Sequence, residues 1–210
     1  QDVGAPLDDA RIALAWVQAL MADGQSDKAL ALMDKAFAMA PDNHTIALLR
    51  AQLLAESGKT KDAIAALDGL AAGADAEQIA LLQAQLLLQD NQAERAAANL
   101  TKLREKRPAD KKVALLLVVA LARSDKIAQA ERLADQVVAD KLAVPMELAE
   151  VWLQAQQLPK AIAVLEKEAA VEKPEARTAA TLAVMYVMAG RKADALALRD
   201  RVAKVLGPQA

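Results

Sequence analysis

The side chains that could carry catalysis are few in this sequence of 210 residues. It has one histidine, one tyrosine and no cysteine. His44 follows Pro41, Asp42 and Asn43 at the expected start of a helix, where a solvated turn residue is far more common than a general base or a metal ligand. An ordinary zinc site needs several His or Cys ligands. We therefore predict no catalytic residues, no metal site and no cofactor, and hence a protein that is not an enzyme.

Two other patterns suggest anion chemistry. Gly58-Lys59-Thr60 matches the end of a phosphate-binding loop, but the glycine required five residues earlier is replaced by Leu53, so the match fails. The segment Lys102–Lys112 holds six basic residues in eleven. Cations at the C-terminal end of a helix complement its dipole, which is the favoured interpretation; contact with an anionic partner or a phospholipid head group is the alternative.

The overall charge gives no support for a nucleic-acid partner. The 26 basic and 28 acidic residues are interspersed and leave a net charge of −2, whereas nucleic-acid binding favours a basic face. The longest apolar run covers residues 113–122, about half of what a membrane-spanning helix needs. We predict a buried helix there and no transmembrane segment. Because the chain opens at Gln1 without Met, we expect a processed form or a fragment.

The elements that position these residues follow from an internal repeat. Residues 46–54 read IALLRAQLL and residues 79–87 read IALLQAQLL, an offset of 79 − 46 = 33. An alanine marks each unit, with steps of 34, 33, 34, 31 and 34, at Ala29, Ala63, Ala96, Ala130, Ala161 and Ala195. Such periods are typical of stacked supersecondary units. We predict six units in one domain, 1–210, at approximately 10–43, 44–76, 77–110, 111–141, 142–175 and 176–208.

Composition and spacing predict that each unit is a helical hairpin. The chain is 55% hydrophobic but only 2% aromatic, which favours helices built from Ala and Leu over strands. In the second unit a helix over 47–56 is followed by Gly58, a turn residue, and by an amphipathic helix from Thr60. The repeated alanine marks a close approach of two helices, where added methylenes cost about 1–3 kcal/mol.

These residues resemble the tetratricopeptide repeat family. In the last unit Leu182, Ala183, Tyr186, Gly190 and Ala195 match the family pattern in order, and Gly207-Pro208 closes the unit. The repeats are divergent, since leucine replaces the aromatic sites in units two to four and Gln156 replaces the turn glycine of unit five. The resemblance implies an all-α, right-handed superhelical solenoid of about six hairpins and about twelve helices.

In this family the first helices of the hairpins line a concave groove. The matching sites form a leucine-rich series and, four residues further on, a glutamine-rich series. The first consists of Leu14, Leu48, Leu81, Leu115, Met146 and Ala180, and the second of Gln18, Gln52, Gln85, Val119, Glu150 and Val184. Glutamine amides can both donate and accept hydrogen bonds to an extended backbone, and the series lacks the Lys and Asn with which chaperone-binding members of the family hold a C-terminal carboxylate. An apolar or amphipathic helical segment is therefore the expected ligand. In the alternative interpretation the leucines only pack between helices and the glutamines are solvated.

The resemblance implies a non-catalytic scaffold that binds a protein or peptide in its concave groove. Two alternatives remain open: a structural module of a bacterial envelope assembly for secretion, pilus formation or exopolysaccharide export, and a repeat domain that regulates a catalytic partner. The alanine-rich, cysteine-free chain slightly favours the periplasm or cell envelope over the cytoplasm. Exposed Leu and Met on terminal units would also allow homo-oligomers.

Overall fold

A computed structural model describes residues 10–41, 43–68, 70, 76–171 and 175–206. Across these residues the chain forms twelve α-helices and no strand, so the predicted all-α class is confirmed. In chain order the helices are α1 Ala10–Ala22, α2 Ser26–Met39, α3 His44–Glu56, α4 Thr60–Asp68, α5 Ala76–Gln89, α6 Ala93–Lys106, α7 Lys111–Arg123, α8 Ile127–Ala139, α9 Pro145–Gln154, α10 Leu158–Ala169, α11 Ala176–Met188 and α12 Lys192–Leu206.

The chain divides into two compact units, Gln1–Asn99 and Leu100–Ala210. In the first unit α1 packs against α2 and α3 against α4, while α2 also contacts α3 and α4 contacts α5. In the second unit the hairpin pairs are α7 with α8, α9 with α10 and α11 with α12. Successive hairpins of this unit meet where α7 contacts α9 and α10 contacts α11. The assignment of residues 1–210 to one domain stays a prediction.

All six hairpin turns share one backbone conformation. A residue with φ between 59° and 76° lies five positions before each repeat alanine, at Gly24, Gly58, Asn91, Asp125, Gln156 and Gly190. The next N–H donates to a carbonyl five residues back, as from Lys59 N to Leu54 O at 2.8 Å and from Gln157 N to Trp152 O at 2.8 Å. This bond closes the end of the first helix. Gln156 therefore adopts the left-handed conformation that its glycine counterparts adopt without steric cost.

The step of 31 residues between Ala130 and Ala161 is shorter than the others because α9 has 10 residues where α3 and α7 have 13, and not because the connection before α9 is shortened. This connection has the same left-handed turn conformation as the hairpin turns. Lys141 has φ 57°, and Leu142 N donates to Val137 O at 3.0 Å. Val137 and Ala143 are buried together with Ala114 of α7, so the connection turns directly into the core of the second unit.

The repeat alanines lie where the hairpins are most tightly packed. Five of them have an exposed fraction of zero: Ala29, Ala63, Ala96, Ala130 and Ala161. Ala195 in α12 is only half-buried. A larger side chain at the first five positions would meet close-packed neighbours.

At the one position where the two nonapeptides differ, the side chain makes a polar contact between hairpins. Arg50 Nε donates to Asp34 Oδ1 at 2.6 Å, and the Arg50 guanidinium lies 5.2 Å from the centroid of the Phe37 ring. One repeat later Gln83 Nε2 donates to Asp68 Oδ1 at 2.5 Å. Arginine and glutamine therefore have the same role at this position, since each donates a hydrogen bond to a carboxylate on the second helix of the preceding hairpin.

Helix starts are closed by the short polar residues that favour this position. Asn43 Oδ1 accepts from Thr45 N at 3.1 Å and from Ile46 N at 3.2 Å. Asp110 Oδ1 accepts from Val113 N at 3.1 Å at the start of α7. These bonds satisfy amide groups that have no partner within the helix. Asp42 and the closing pair Gly207-Pro208 lie outside the described residues.

Candidate functional site

A groove in the second unit runs between α7 and α9. Its volume is about 470 Å³, and it is lined on the α7 side by Lys111, Lys112, Leu115, Leu116 and Val119 and on the α9 side by Glu147, Glu150, Val151 and Gln154. The lining residues on each helix recur at helical spacing, as Leu115 and Val119 show, so each helix presents one stripe of side chains to the groove.

The floor of the groove is apolar. Val119 and Val151 are 3% and 6% exposed, one on each helix, and Leu115 and Leu116 are half-buried above them. Leu115 also packs against the buried cluster that contains Ala114. The two half-buried leucines retain apolar surface that a partner could remove from water, a gain of about 25 cal/mol per Å².

The rim of the groove carries charges of both signs. Lys111 Nζ lies 2.5 Å from Glu147 Oε1, and Glu147 Oε2 accepts from Val144 N at 3.1 Å. The Lys111 hydrogen bond, followed by the bond from the Val144 amide, holds the pKa of Glu147 below its ordinary value. Lys112 and Glu150 are exposed further along the rim, so α7 supplies cations and α9 supplies carboxylates.

Three residues of the predicted concave series meet in this groove. Leu115 and Val119 lie on α7, and Glu150 faces them from α9. Met146 is half-buried near the start of α9. In α11 Ala180 is exposed and Val184 is 60% exposed. The structure thus places part of the predicted series in a single cleft and leaves Val184 on an open helix face.

The corresponding residues of the first unit occupy a different environment. Leu48 of α3 and Leu81 of α5 are half-buried, Gln52 is exposed and Gln85 is half-buried. Gln18 is exposed on α1, and the side chain of Leu14 lies outside the described residues. Binding at these positions stays a prediction.

The concave series omitted several residues that line the groove. Leu116, Glu147, Val151 and Gln154 contribute to its walls. Two signals could have identified them: Leu116 and Val151 each adjoin a residue of the series, and Gln154 lies four residues after Glu150 on the same helix face. The sequence favours a role for the basic segment Lys102–Lys112 as helix-end charge. Its last two lysines are instead at the start of α7 and line the groove.

The remaining candidates for chemistry do not assemble into a site. His44 is the first residue of α3 and is half-buried. Among the described residues, no three His, Asp or Glu side chains are grouped as they would be to hold a metal ion. Within the described residues, each helix is too short or too polar to cross a membrane.

A second cleft lies on the other side of α9. It has a volume of about 460 Å³ between α8, α9 and α10, and Trp152 and Leu148 form its base. An ion pair between Lys160 Nζ and Glu131 Oε1 spans it. Ala134 of α8 also lines this cleft. The cleft therefore follows the boundary between two successive hairpins.

Comparison with known proteins agrees with this architecture. Residues 20–86 match the tetratricopeptide repeat family, which confirms the resemblance predicted from the sequence. The fold is similar to that of a tetratricopeptide repeat protein from Parabacteroides merdae ATCC 43184, with a TM-score of 0.66 and 16% identity over 99% of this chain and 82% of that one. No curated protein sequence matches the chain.

Two further solved proteins share the fold. PilW, described as a widely conserved type IV pilus biogenesis factor, has a TM-score of 0.61 and 19% identity over 95% of this chain and 94% of its own. YrrB, described as a TPR protein with an unusual peptide-binding site, has a TM-score of 0.50 and 15% identity over 96% and 88%. These similarities confirm that the chain has the fold of a tetratricopeptide repeat protein.

Proposed function

We propose that this helical repeat protein of the tetratricopeptide type is a non-catalytic scaffold that holds a peptide or helical segment of another protein in the groove between α7 and α9. The observation that carries the proposal is the pairing of an apolar floor, which includes Val119 and Val151, with a rim that is cationic on α7 and anionic on α9. A protein ligand can match both features at once.

The dimensions of the groove favour a short amphipathic segment. A volume of about 470 Å³ accommodates a few side chains rather than a folded domain, and it lies in the range of about 300–1,000 Å³ typical of ligand clefts. A helix with apolar residues at positions i, i+3 or i+4 and i+7 would place them along Leu115 and Leu116. Acidic residues on one side of that helix would face Lys112, and basic residues on the other would face Glu150.

The fold is compatible with this role. One protein of the same fold, YrrB, is described as having a peptide-binding site, and tetratricopeptide repeat proteins are in general interaction modules. Roles in an envelope assembly or in the regulation of a catalytic partner stay predictions.

A displayed library of helical peptides, selected on the wild-type protein, tests the proposal. For a selected peptide labelled with a fluorophore, we expect Leu115→Arg to raise the Kd at least tenfold in anisotropy titrations, because it places a charge directly above the apolar floor. The matched control is Leu48→Arg with Leu81→Arg, which changes the corresponding positions of the first unit and should leave the Kd unchanged. Loss of binding in the control alone would move the site to α3 and α5.

A rim variant keeps the test independent of folding, since Leu115 also packs against the core. Glu150 is exposed, so Glu150→Lys should leave the circular dichroism spectrum and melting temperature unchanged. It should nevertheless weaken peptides whose basic residues face α9 severalfold. Unchanged affinity in both Leu115→Arg and Glu150→Lys would show that the groove is not the binding site.

A further inference from the structure

Apolar side chains are exposed at both ends of the helical series. On α1, Ile12 and Trp16 lie one turn apart and are 44% and 49% exposed. On α12, Leu196 is 52% exposed, and it adjoins the half-buried repeat alanine Ala195. We call the surface formed by Ile12, Trp16 and Lys28 the leading face, and the surface formed by Leu196, Arg199 and Asp200 the trailing face.

The trailing face holds positions that internal hairpins use to contact the next hairpin. Leu196 follows the repeat alanine directly. The same position is buried in α2, α4 and α10, where it holds Leu30, Ile64 and Ile162. Asp200 lies five residues after the alanine, the position from which Asp34 and Asp68 bind the next hairpin. The trailing face is therefore one half of a repeat junction.

The leading face holds the opposite half. Trp16 lies thirteen residues before the repeat alanine, since 29 − 16 = 13. Arg50 and Gln83, at the same position, donate to the second helix of the preceding hairpin. Leu182 has this position in α11 and is buried where α10 packs on that helix. Ile12 likewise matches Ile46 and Ile79, both of which are buried.

Charge is complementary in the same register. Within the first unit Arg95, one residue before its repeat alanine, binds Asp68, five residues after the preceding alanine, at 3.1 Å. At the two ends of the chain these positions are Lys28 and Asp200. A trailing face set against a leading face would therefore place the Lys28 ammonium beside the Asp200 carboxylate.

Arg199 is the one polar residue at a position that is apolar elsewhere. Met33, Leu67 and Leu165 occupy it in other hairpins and are buried, whereas Arg199 is exposed and bonds to Asp200 at 2.6 Å. Its counterpart in α8, Ala134, lines the same cleft as Leu148, the counterpart of Trp16. Arg199 would thus meet the Trp16 indole, and a guanidinium over an aromatic ring is attractive.

We propose that two copies of this chain associate head to tail, with the trailing face of one stacking on the leading face of the other in the register of its own hairpins. The two faces differ, so the contact is heterologous, and each pair of copies retains one leading face and one trailing face to which further copies can add. This association is independent of the groove between α7 and α9.

Sedimentation velocity over a range of concentrations tests the proposal. The wild type should form concentration-dependent oligomers, whereas Trp16→Glu and Leu196→Glu should each be monomeric because one face is blocked. Mixing the two variants joins the intact trailing face of Trp16→Glu to the intact leading face of Leu196→Glu. The mixture should therefore contain a discrete 1:1 complex that neither variant forms alone.

Other arrangements give different results. If Leu196→Glu alone dimerised, two leading faces would be pairing, and if Trp16→Glu alone dimerised, two trailing faces would be pairing; either result would overturn the proposal. A monomeric wild type would also overturn the proposal. If Trp16→Glu lowered the melting temperature of a monomeric protein, the leading face would be covered by another part of the same chain.

A charge exchange provides a second measurement that leaves the apolar residues intact. Lys28→Asp should weaken self-association severalfold, and combining it with Asp200→Lys should restore it. Circular dichroism of each variant should match that of the wild type. No recovery in the combined variant would show that the register is wrong.

Discussion

The first and second units place different residues at the same repeat position. Gln52 in α3 and Val119 in α7 both lie eleven residues before their repeat alanine, since 63 − 52 = 11 and 130 − 119 = 11. Gln52 is exposed, whereas Val119 is 3% exposed and lines the floor of the groove. The repeat thus fixes the backbone and the helix face, while the neighbouring helix decides whether that face is a polar surface or an apolar cleft.

The difference has a local cause in the second unit. Two successive first helices, α7 and α9, are in contact there. The connection that leads into α9 turns through Lys141 and Leu142 into the core around Val137. Because α9 is held close to α7, Val119 and Val151 line the same cleft and both are buried.

Exchanging the two residues should give the largest effect. Val119→Gln buries an amide at a position now occupied by an apolar side chain, and we expect it to lower the free energy of unfolding by about 1–3 kcal/mol. The reciprocal change, Gln52→Val, lies on an exposed face and should alter that free energy by less than about 0.5 kcal/mol. Urea denaturation of both variants measures the difference. Equal effects would mean that the two positions have the same environment.

Exchanging turn residues should give an intermediate effect. Gly58 and Gln156 have φ of 76° and 61° at the same turn position, and a Cβ at Gly58 would meet no atom within 4 Å. Only backbone strain distinguishes the two residues, so Gly58→Gln should cost about 1 kcal/mol. Gln156→Gly should stabilise the protein by about 0.5–1 kcal/mol.

Thermal melting followed by circular dichroism measures both changes in the turns. Asn91→Gly is the internal control, because asparagine tolerates the left-handed conformation better than glutamine. It should stabilise less than Gln156→Gly. A destabilised Gln156→Gly would indicate that the Gln156 side chain makes a contact that outweighs its backbone strain.

The smallest expected effect concerns acid pH. The Lys111 and Val144 hydrogen bonds lower the pKa of Glu147 in the folded protein. They therefore stabilise the fold fully above the ordinary glutamate pKa of about 4.3, and this stability is lost as the pH falls through the lowered value. An exposed pair of this kind contributes about 0.2–1 kcal/mol.

The stability difference between wild type and Glu147→Gln, measured by urea denaturation from neutral to acid pH, isolates this contribution. It should be constant near neutrality and shrink below about pH 4.3. The equivalent positions of the first unit hold Leu49 and Leu82, so Leu49→Met should show no such pH dependence. A difference that persisted at the lowest pH would mean that Glu147 stabilises the groove without its charge.

Much of the fold could be predicted from the sequence because its signals are local. The spacing of Ala29, Ala63 and their successors predicted the hairpins, and their burial shows why alanine recurs. Gln156 could be identified as a turn residue from its position alone. The groove was less predictable: Leu115 and Val119 were identified on α7, whereas Val151 and Glu147, which face them from α9, were not.

The sequence alone determined the helices, their pairing into hairpins and the fold of a tetratricopeptide repeat protein, because hydrophobic spacing, turn conformation and close-packed alanines depend on residues that are near one another in the chain. The tertiary structure alone decided which first helices approach closely and which charges face each other across the gap. Lys111 and Glu147 are 36 residues apart and lie 2.5 Å apart. No local pattern encodes that contact, because it depends on how one hairpin packs against the next.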